Sequence, residues 1–226
     1  MFIVLEGLDG AGKSTQIARL KDMFLRRGVE VEYLHFPRFD APVYGELIAR
    51  FLRGELGSVE QVNPYLVALL YAGDRAECSA KIRGWIEEGK VVIADRYVYS
   101  NVGYQCAKIA DDEERKALQE WIFRTEYEEF CIPRPDVSLF LDVPFSFTER
   151  KLTEQRSGDD RDYLQGGRDI PEASLDLQRS VREVYLSSAR ERDDLIVVDC
   201  SNAEGAMASA DAIFERITQH LSPFLK

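Results

Sequence analysis

Histidine is almost missing from this 226-residue chain, which has two, and its four cysteines (Cys78, Cys106, Cys131 and Cys200) stand far apart with no CxxC pair. That scarcity argues against a zinc site and against a disulfide framework, and the thiols read as free groups in a reducing, cytoplasmic setting. Positive charge is also short: 29 Lys and Arg against 40 Asp and Glu leave a net charge of -11. A general DNA or RNA coat needs an excess of Lys and Arg on one face, so nucleic acid is not an expected partner, and any anionic ligand must be gathered by a local cluster. Long apolar runs are missing too. The N-terminus lacks a basic region and its apolar run, Phe2 to Leu5, is four residues long, so neither a signal peptide nor a membrane span is expected there. No repeat, low-complexity tract or linker divides the chain, and 45% apolar content suffices for one sizeable core. Residues 1–226 are expected to form a single domain.

What is present is an alternation. Short apolar or β-branched runs, Phe2 to Leu5, Val29 to His35, Val91 to Ala94, Val137 to Leu141 and Leu195 to Val198, are separated by longer stretches with helical period. Ile17, Leu20 and Phe24 fall on one stripe, Leu177, Val181, Val184 and Tyr185 on another, and Ala210, Ile213, Phe214, Ile217 and Leu221 on a third. Each stripe reads as a core face. Strands alternating with helices predict an α/β fold, a three-layer sandwich in which a five-stranded parallel sheet lies between helices. The stretch Glu154 to Arg168 is nearly devoid of apolar residues, collects Gly, Arg and Asp, and is longer than most connections, so a flexible lid is expected at about 154–170.

Directly after the first predicted strand and before the first helix, Gly7 to Ser14 reads GLDGAGKS, matching the phosphate-loop pattern GxxxxGK followed by Ser or Thr. Glycines let successive backbone N–H groups curl around phosphate oxygens, and the helix N-terminus adds its positive end. Lys13 then supplies a point charge near the β- and γ-phosphates, and the Ser14 hydroxyl can hold magnesium. Gly7, Gly10, Ala11, Gly12, Lys13, Ser14 and Thr15 form the expected ATP-binding set.

Two classes compete for such a loop: small-molecule kinases, and nucleotide-driven switches or motors. A guanine-specific switch carries an NKxD motif, and here no asparagine precedes lysine. A motor places an acidic pair at the end of a second catalytic strand, whereas Val91 to Ala94 runs into Asp95 and then Arg96. An arginine there suits an anionic acceptor better than an attacking water. Arg38, Arg75 and Arg96 each fall in a segment expected at or after the carboxyl end of a strand or on the helix leading back, the edge where ligands of open α/β sheets bind, and guanidinium forks clasp phosphate oxygens.

Around these arginines the chain resembles the thymidylate kinase family. Phe36, Pro37 and Arg38 match its FPR segment, Asp74 and Arg75 the end of its long middle helix, and Asp95, Arg96 and Tyr97 its DRY signature. Ser100, Asn101, Tyr104 and Gln105 fall where that family lines its pyrimidine pocket, and Pro135, Asp136, Leu141 to Pro144, Arg168, Asp169 and Glu172 continue the match over nearly the whole chain. The resemblance implies a thymidylate kinase that moves the γ-phosphoryl group of ATP onto dTMP with Mg2+, giving dTDP and ADP for dTTP synthesis. The alternatives are another P-loop small-molecule kinase and, further off, a non-kinase switch.

Carried over residue by residue, the resemblance has Arg38 and Arg96 grip the acceptor phosphate and Arg75 donate to the thymine ring while Tyr71 stacks on it. Asn101 and Gln105 read the base edge, Tyr104 crowds the 2'-position, and Asp9 sits by the acceptor's sugar and phosphate. Phe39 stands where the family often has tyrosine, and Glu172 joins the acceptor-binding set. Gly10 occupies the loop position where some members are basic, so the transition-state arginine is expected from the lid, with Arg156 and Arg161 as candidates. Asp95 is expected to hold magnesium through water. A homodimer paired through helices is also implied.

Overall fold

The structure is a computed structural model whose described residues are 1–58, 61–153 and 175–225. The expected lid, with Arg156 and Arg161, and Glu172 beyond it, lies outside the described residues.

Five strands form one all-parallel sheet: β1 (Phe2–Glu6), β2 (Val31–His35), β3 (Val91–Asp95), β4 (Val137–Asp142) and β5 (Leu195–Asp199), in the order β2-β3-β1-β4-β5. The predicted five-stranded parallel sheet is therefore the one observed. The second strand starts two residues later than its apolar run, because the amide of Val29 bonds back to the carbonyl of Phe24 as the chain leaves the first helix. That capping bond uses the donor a longer strand would need.

Alternation within the strands decides which layer each side chain joins. Phe2 and Val4 of β1, with Val92 and Ala94 of β3, face one layer, while Ile3, Leu5, Val91 and Ile93 face the other. The second layer is closed by α1 (Lys13–Arg26) and α8 (Ala210–Leu221), which contribute Ile17, Leu20, Phe24, Ile213, Ile217 and Leu221. The first is closed by α3 (Pro64–Glu87), α4 (Val98–Cys106), α5 (Asp112–Arg124) and α7 (Leu175–Glu191). Both central strands are buried along their full length, as covered parallel strands must be.

Between β2 and α3 a short helix, α2 (Tyr44–Leu52), packs Ile48, Phe51 and Leu52 against Val67, with Phe39 and Tyr71 at the margin of that cluster. The helix α6 (Phe145–Thr153) follows β4. All four cysteines are free; three are buried and Cys131 is exposed. No helix among the described residues is long and apolar enough to cross a membrane.

Candidate active site

The carboxyl ends of β1 and β3 lie side by side, with Leu5 paired to Asp95, and both strands run directly into the residues singled out by sequence. From β1 the chain enters Gly7 to Ser14. Gly10 and Gly12 have φ of 78° and 81°, a left-handed backbone that side chains resist, and this lets the loop curl before α1 begins at Lys13. The first turn of α1 has no acidic residue, so nothing on the helix offsets its positive end. Ser14 and Thr15 are exposed there.

Lys13 folds back over the loop. Its Nζ donates to the carbonyls of Gly7 and Leu8 at 3.3 Å each and lies 3.8 Å from Asp95 Oδ1. Burial, reinforced by the nearby Arg96 guanidinium, pulls the Lys13 ammonium below the ordinary lysine range, against Asp95, Asp9 and Glu6, which hold it up. Asp95 Oδ1 is itself buried and accepts no hydrogen bond from the described residues.

From β3 the chain enters Arg96, whose φ of 67° puts a non-glycine residue in the left-handed region. Such a residue costs on the order of 1–3 kcal/mol and persists only where its surroundings hold it. Glu6, the last residue of β1 and wholly buried, does so from below. Its Oε1 accepts from the amides of Tyr97 (2.8 Å) and Ser100 (3.3 Å), and its Oε2 from the hydroxyls of Ser100 (2.5 Å) and Tyr185 (2.9 Å). Burial raises the Glu6 carboxyl above the usual carboxylate range, while the Ser100 hydroxyl and the Arg96 charge oppose that rise.

Held this way, the Arg96 guanidinium reaches Asp9 Oδ1 at 2.7 Å and Ser100 Oγ at 3.1 Å, and lies over the Tyr104 ring, whose hydroxyl donates to Asp9 Oδ2 at 2.8 Å. Asp9, Arg96 and Tyr104 thus form one cluster beside the loop, with Lys13 and Asp95 on its other side.

The remaining predicted residues line α3 and α4. Asn63 caps α3 by accepting from the Tyr65 amide, with Pro64 at the first helical position. Helical spacing then sets Tyr71, Asp74 and Arg75 on one face, and Asn101, Tyr104 and Gln105 on one face of α4. The Phe36–Pro37 peptide is cis. Arg38 does not point freely into the cleft: Asp74 accepts from its amide and its Nε, both at 2.9 Å, and Glu77 from its Nη2 at 2.7 Å. Arg75 is held by Glu126, which also accepts from Asn101. Gln105 is buried and accepts from Lys108 at 2.7 Å. Phe39 and Tyr71 are half-buried against the α2 cluster.

Close backbone approach fixes where Arg38 and Phe39 lie. A Cβ on Gly45 would stand 2.2 Å from the Arg38 carbonyl oxygen and 2.9 Å from the Phe39 carbonyl. Gly45→Ala is expected to destabilise the protein by about 1–3 kcal/mol through overpacking, read as a lower urea midpoint with an unchanged slope. A midpoint equal to that of the unaltered protein would show that the α2 turn gives way.

Two residues here escaped sequence reading. Glu6 falls just beyond the apolar run Phe2 to Leu5, although a lone carboxylate closing FIVLE is its own signal. Glu126 looked like one acid among several in Glu126, Glu128 and Glu129, and only helix packing sets it apart.

The glycine loop before α1 therefore stands beside an arginine-bearing set of side chains at the end of β3 and on α3 and α4. The sequence profile of the thymidylate kinase family matches residues 5–210. The chain is 36% identical over 204 residues to a probable thymidylate kinase of Thermococcus kodakarensis, covering 88% of this chain and 89% of that one. It is 35% identical over 190 residues to the thymidylate kinase of Mycobacterium tuberculosis, covering 84% and 86%. The structure of Candida albicans thymidylate kinase superposes with a TM-score of 0.71 at 23% identity, covering 98% of this chain and 91% of that one, which speaks for the fold. With a family match that includes the phosphate loop, Arg96 and the α4 face, this chain belongs to the thymidylate kinase family.

Proposed function

We propose that the protein is a dTMP kinase that transfers the γ-phosphoryl group of ATP to dTMP, yielding dTDP and ADP. The observation that carries this reading is the juxtaposition of Lys13, on the phosphate loop, with the Asp9–Arg96–Tyr104 cluster, whose helix α4 also carries Asn101 against the Arg75–Glu126 pair.

The roles follow from the chemistry of the transfer. Charge spreads over the equatorial oxygens of the moving phosphoryl group, so catalysis is positioning and charge stabilisation. Amides of Gly10 to Ser14 cradle the donor phosphates, with Thr15 at the rim. Lys13 leaves the Gly7 and Leu8 carbonyls and turns to the β- and γ-phosphates. Arg96 exchanges part of its contact with Asp9 for the acceptor phosphate and aligns its oxygen, and Arg38 has one nitrogen, Nη1, without a partner among the described residues for the same phosphate. No general base is needed, because a phosphate monoester is largely ionised near neutral pH. Tyr71 stacks on the thymine, Arg75, Asn101 and Gln105 meet its edge, and Tyr104 crowds the 2'-position. Arg156 or Arg161 of the lid completes the charge stabilisation.

Magnesium fits the residues present. Asp95 offers a buried carboxylate oxygen with no hydrogen-bond donor, Ser14 an exposed hydroxyl, and no cluster of three or more metal-ligating side chains exists among the described residues. That is the sparse oxygen set magnesium uses when phosphates and water complete its shell. When bound it supplies charge neutralisation on the phosphates.

We also propose a cytoplasmic homodimer. The outer face of α3, where Leu66 is 62% and Leu69 40% exposed, supports pairing through helices.

A coupled ADP-release assay across nucleoside monophosphates tests the assignment. dTMP is expected to be the best acceptor, with ADP release in its absence at least about 10²-fold slower, since a closed site keeps water from the γ-phosphoryl group. A preference for adenylate, guanylate or an unphosphorylated nucleoside, or hydrolysis as fast as transfer, would overturn it.

A further inference from the structure

Away from the phosphate loop, a cavity of about 510 Å³ opens along the outer side of α5, a volume in the range of small-molecule sites. Glu120, Trp121 and Arg124 share one stripe of α5, and Glu128 continues it in the π-helical turn Thr125–Glu129 that follows. Tyr65, Arg134 and Arg192 complete the wall. Arg134 stands just ahead of β4, which begins at Val137, and Arg192 just ahead of β5, which begins at Leu195. That end of the cavity therefore lies at the amino edge of the parallel sheet, whereas Lys13 and Arg96 follow strands at its carboxyl edge.

Three guanidinium groups meet there in a chain whose acids outnumber its bases 40 to 29. Most of the described arginines reach a carboxylate, but Arg124 and Arg134 have neither a hydrogen bond nor an ion pair among the described residues. Arg192 bonds to Tyr99 and Asp194 through Nε, which leaves both of its Nη groups without a partner among those residues. Two of the three cations are fixed by rings. Arg134 lies 4.0 Å from the ring centre of Tyr127 and Arg192 4.0 Å from that of Phe123, and these two buried rings are stacked with only 8° between their planes. A guanidinium stacked by its face keeps its N–H donors in its own plane, so the rings hold the cations without using the groups that clasp an anion. Side chains fixed in advance also lose little rotamer freedom when a ligand arrives.

The carboxylates decide what kind of anion fits. Glu120 and Glu128 are exposed and line the same cavity, so a bare inorganic anion meets repulsion along with attraction, and a ligand needs a second kind of contact. Trp121 and Tyr65 supply it: their half-buried rings meet edge to face with 5.1 Å between centres, and Trp121 stands one helical turn from Arg124.

We propose that this cavity is a second nucleotide site, one that binds a nucleoside polyphosphate apart from the donor and acceptor positions. Arg124, Arg134 and Arg192 take the phosphate oxygens in forked contacts, and the base stacks on Trp121. Glu120, next to Trp121 on α5, accepts from a base N–H or a sugar hydroxyl. A free nucleoside lacks the anion the arginines require, and an inorganic polyphosphate lacks the ring that offsets the two carboxylates.

The inference goes beyond the dTMP kinase reading and is tested separately from it. dTTP is titrated calorimetrically into the protein held in saturating ADP, dTMP and Mg2+, and into Arg124→Ala/Arg134→Ala under the same conditions. The difference between the two proteins reports this site, whatever the phosphate loop itself binds. The double variant is expected to bind dTTP at that site at least about 10²-fold more weakly, the loss of two charge-assisted contacts. Its turnover with ATP and dTMP should stay within about 2-fold, because both replacements are exposed and lie outside the proposed catalytic machinery. With the unaltered protein, inorganic triphosphate and thymidine should each bind at least about 10-fold more weakly than dTTP, since each makes only part of the contacts. Should the double variant lose its thermal midpoint, Arg134→Gln alone, expected to weaken dTTP about 10-fold, decides the matter. Equal binding of dTTP by altered and unaltered protein, or inorganic triphosphate binding as tightly as dTTP, overturns the proposal and leaves the kinase assignment standing.

Discussion

Lys13→Ala is expected to lower turnover by about 10²- to 10³-fold, the loss that follows removal of one preorganised group aimed at developing charge. The structure explains why no neighbour replaces it. Lys13 is the cation on the loop itself, resting on the Gly7 and Leu8 carbonyls and 3.8 Å from Asp95. Arg96 is committed to Asp9 and Ser100, on the side proposed for the acceptor. Its resting contacts also make the side chain preorganised: it is already folded over the loop before nucleotide arrives, so little rotamer entropy remains to be lost on binding. Circular dichroism should be unchanged while the thermal midpoint falls modestly, because removal relieves the ammonium's own desolvation but leaves the buried Asp95 carboxylate without the cation beside it. Turnover within about 3-fold of the unaltered enzyme would remove Lys13 from the proposed mechanism.

Arg96→Ala is expected to cost turnover on the order of 10² or more, with the KM for ATP little changed. The split matters because the guanidinium lies with Asp9 and Tyr104, the side proposed for the acceptor, while the phosphate loop keeps its own amides and Lys13. Arg96→Lys should recover only part of the loss: a lysine keeps the charge but lacks the planar fork that spans two oxygens. Alanine at φ near 67° remains strained, so the backbone penalty persists and cannot masquerade as a gain. Near-normal activity of Arg96→Ala, or an equal rise in the KM for both substrates, would refute the role assigned to it.

Glu6 ties these two predictions together. Its carboxyl lies under the backbone of Tyr97 and Ser100 and holds the turn that aims Arg96, yet it touches neither phosphate-binding element directly. The strand that ends in Glu6 also begins the loop that carries Lys13, so one buried acid at the end of β1 couples the donor and acceptor halves through backbone geometry. Arg38 is tethered in a comparable way by Asp74 and Glu77.

Local chemistry made the phosphate loop legible. Gly10, Gly12 and Lys13 act through backbone conformation and a charge a few residues away, and both are written in adjacent letters. The same holds for the strands, whose apolar runs match the observed β1, β3, β4 and β5 to within a residue at their ends, and for the stripes of α1, α7 and α8, whose period needs no distant information. The segment proposed as a lid was marked by composition alone and lies outside the described residues, so Arg156 and Arg161 stay proposals.

Glu126 shows what adjacency cannot convey. It is 51 residues from Arg75 and 25 from Asn101, and in the sequence it is an acid in an acidic stretch that solvation would account for equally well. Only when α3, α4 and α5 pack on one face of the sheet does its carboxylate become buried, and burial converts a weak surface charge into a fixed acceptor that orients two others. The amino-acid order by itself determined the sheet, the phosphate loop and the presence of arginines in the segments beside it, because those depend on periodicity and on neighbours along the chain. Which arginine is tethered, which amide is locked and which acid is desolvated were decided by tertiary packing, since polar interactions are set by distance and by exclusion of water, and neither can be read from separation along a chain.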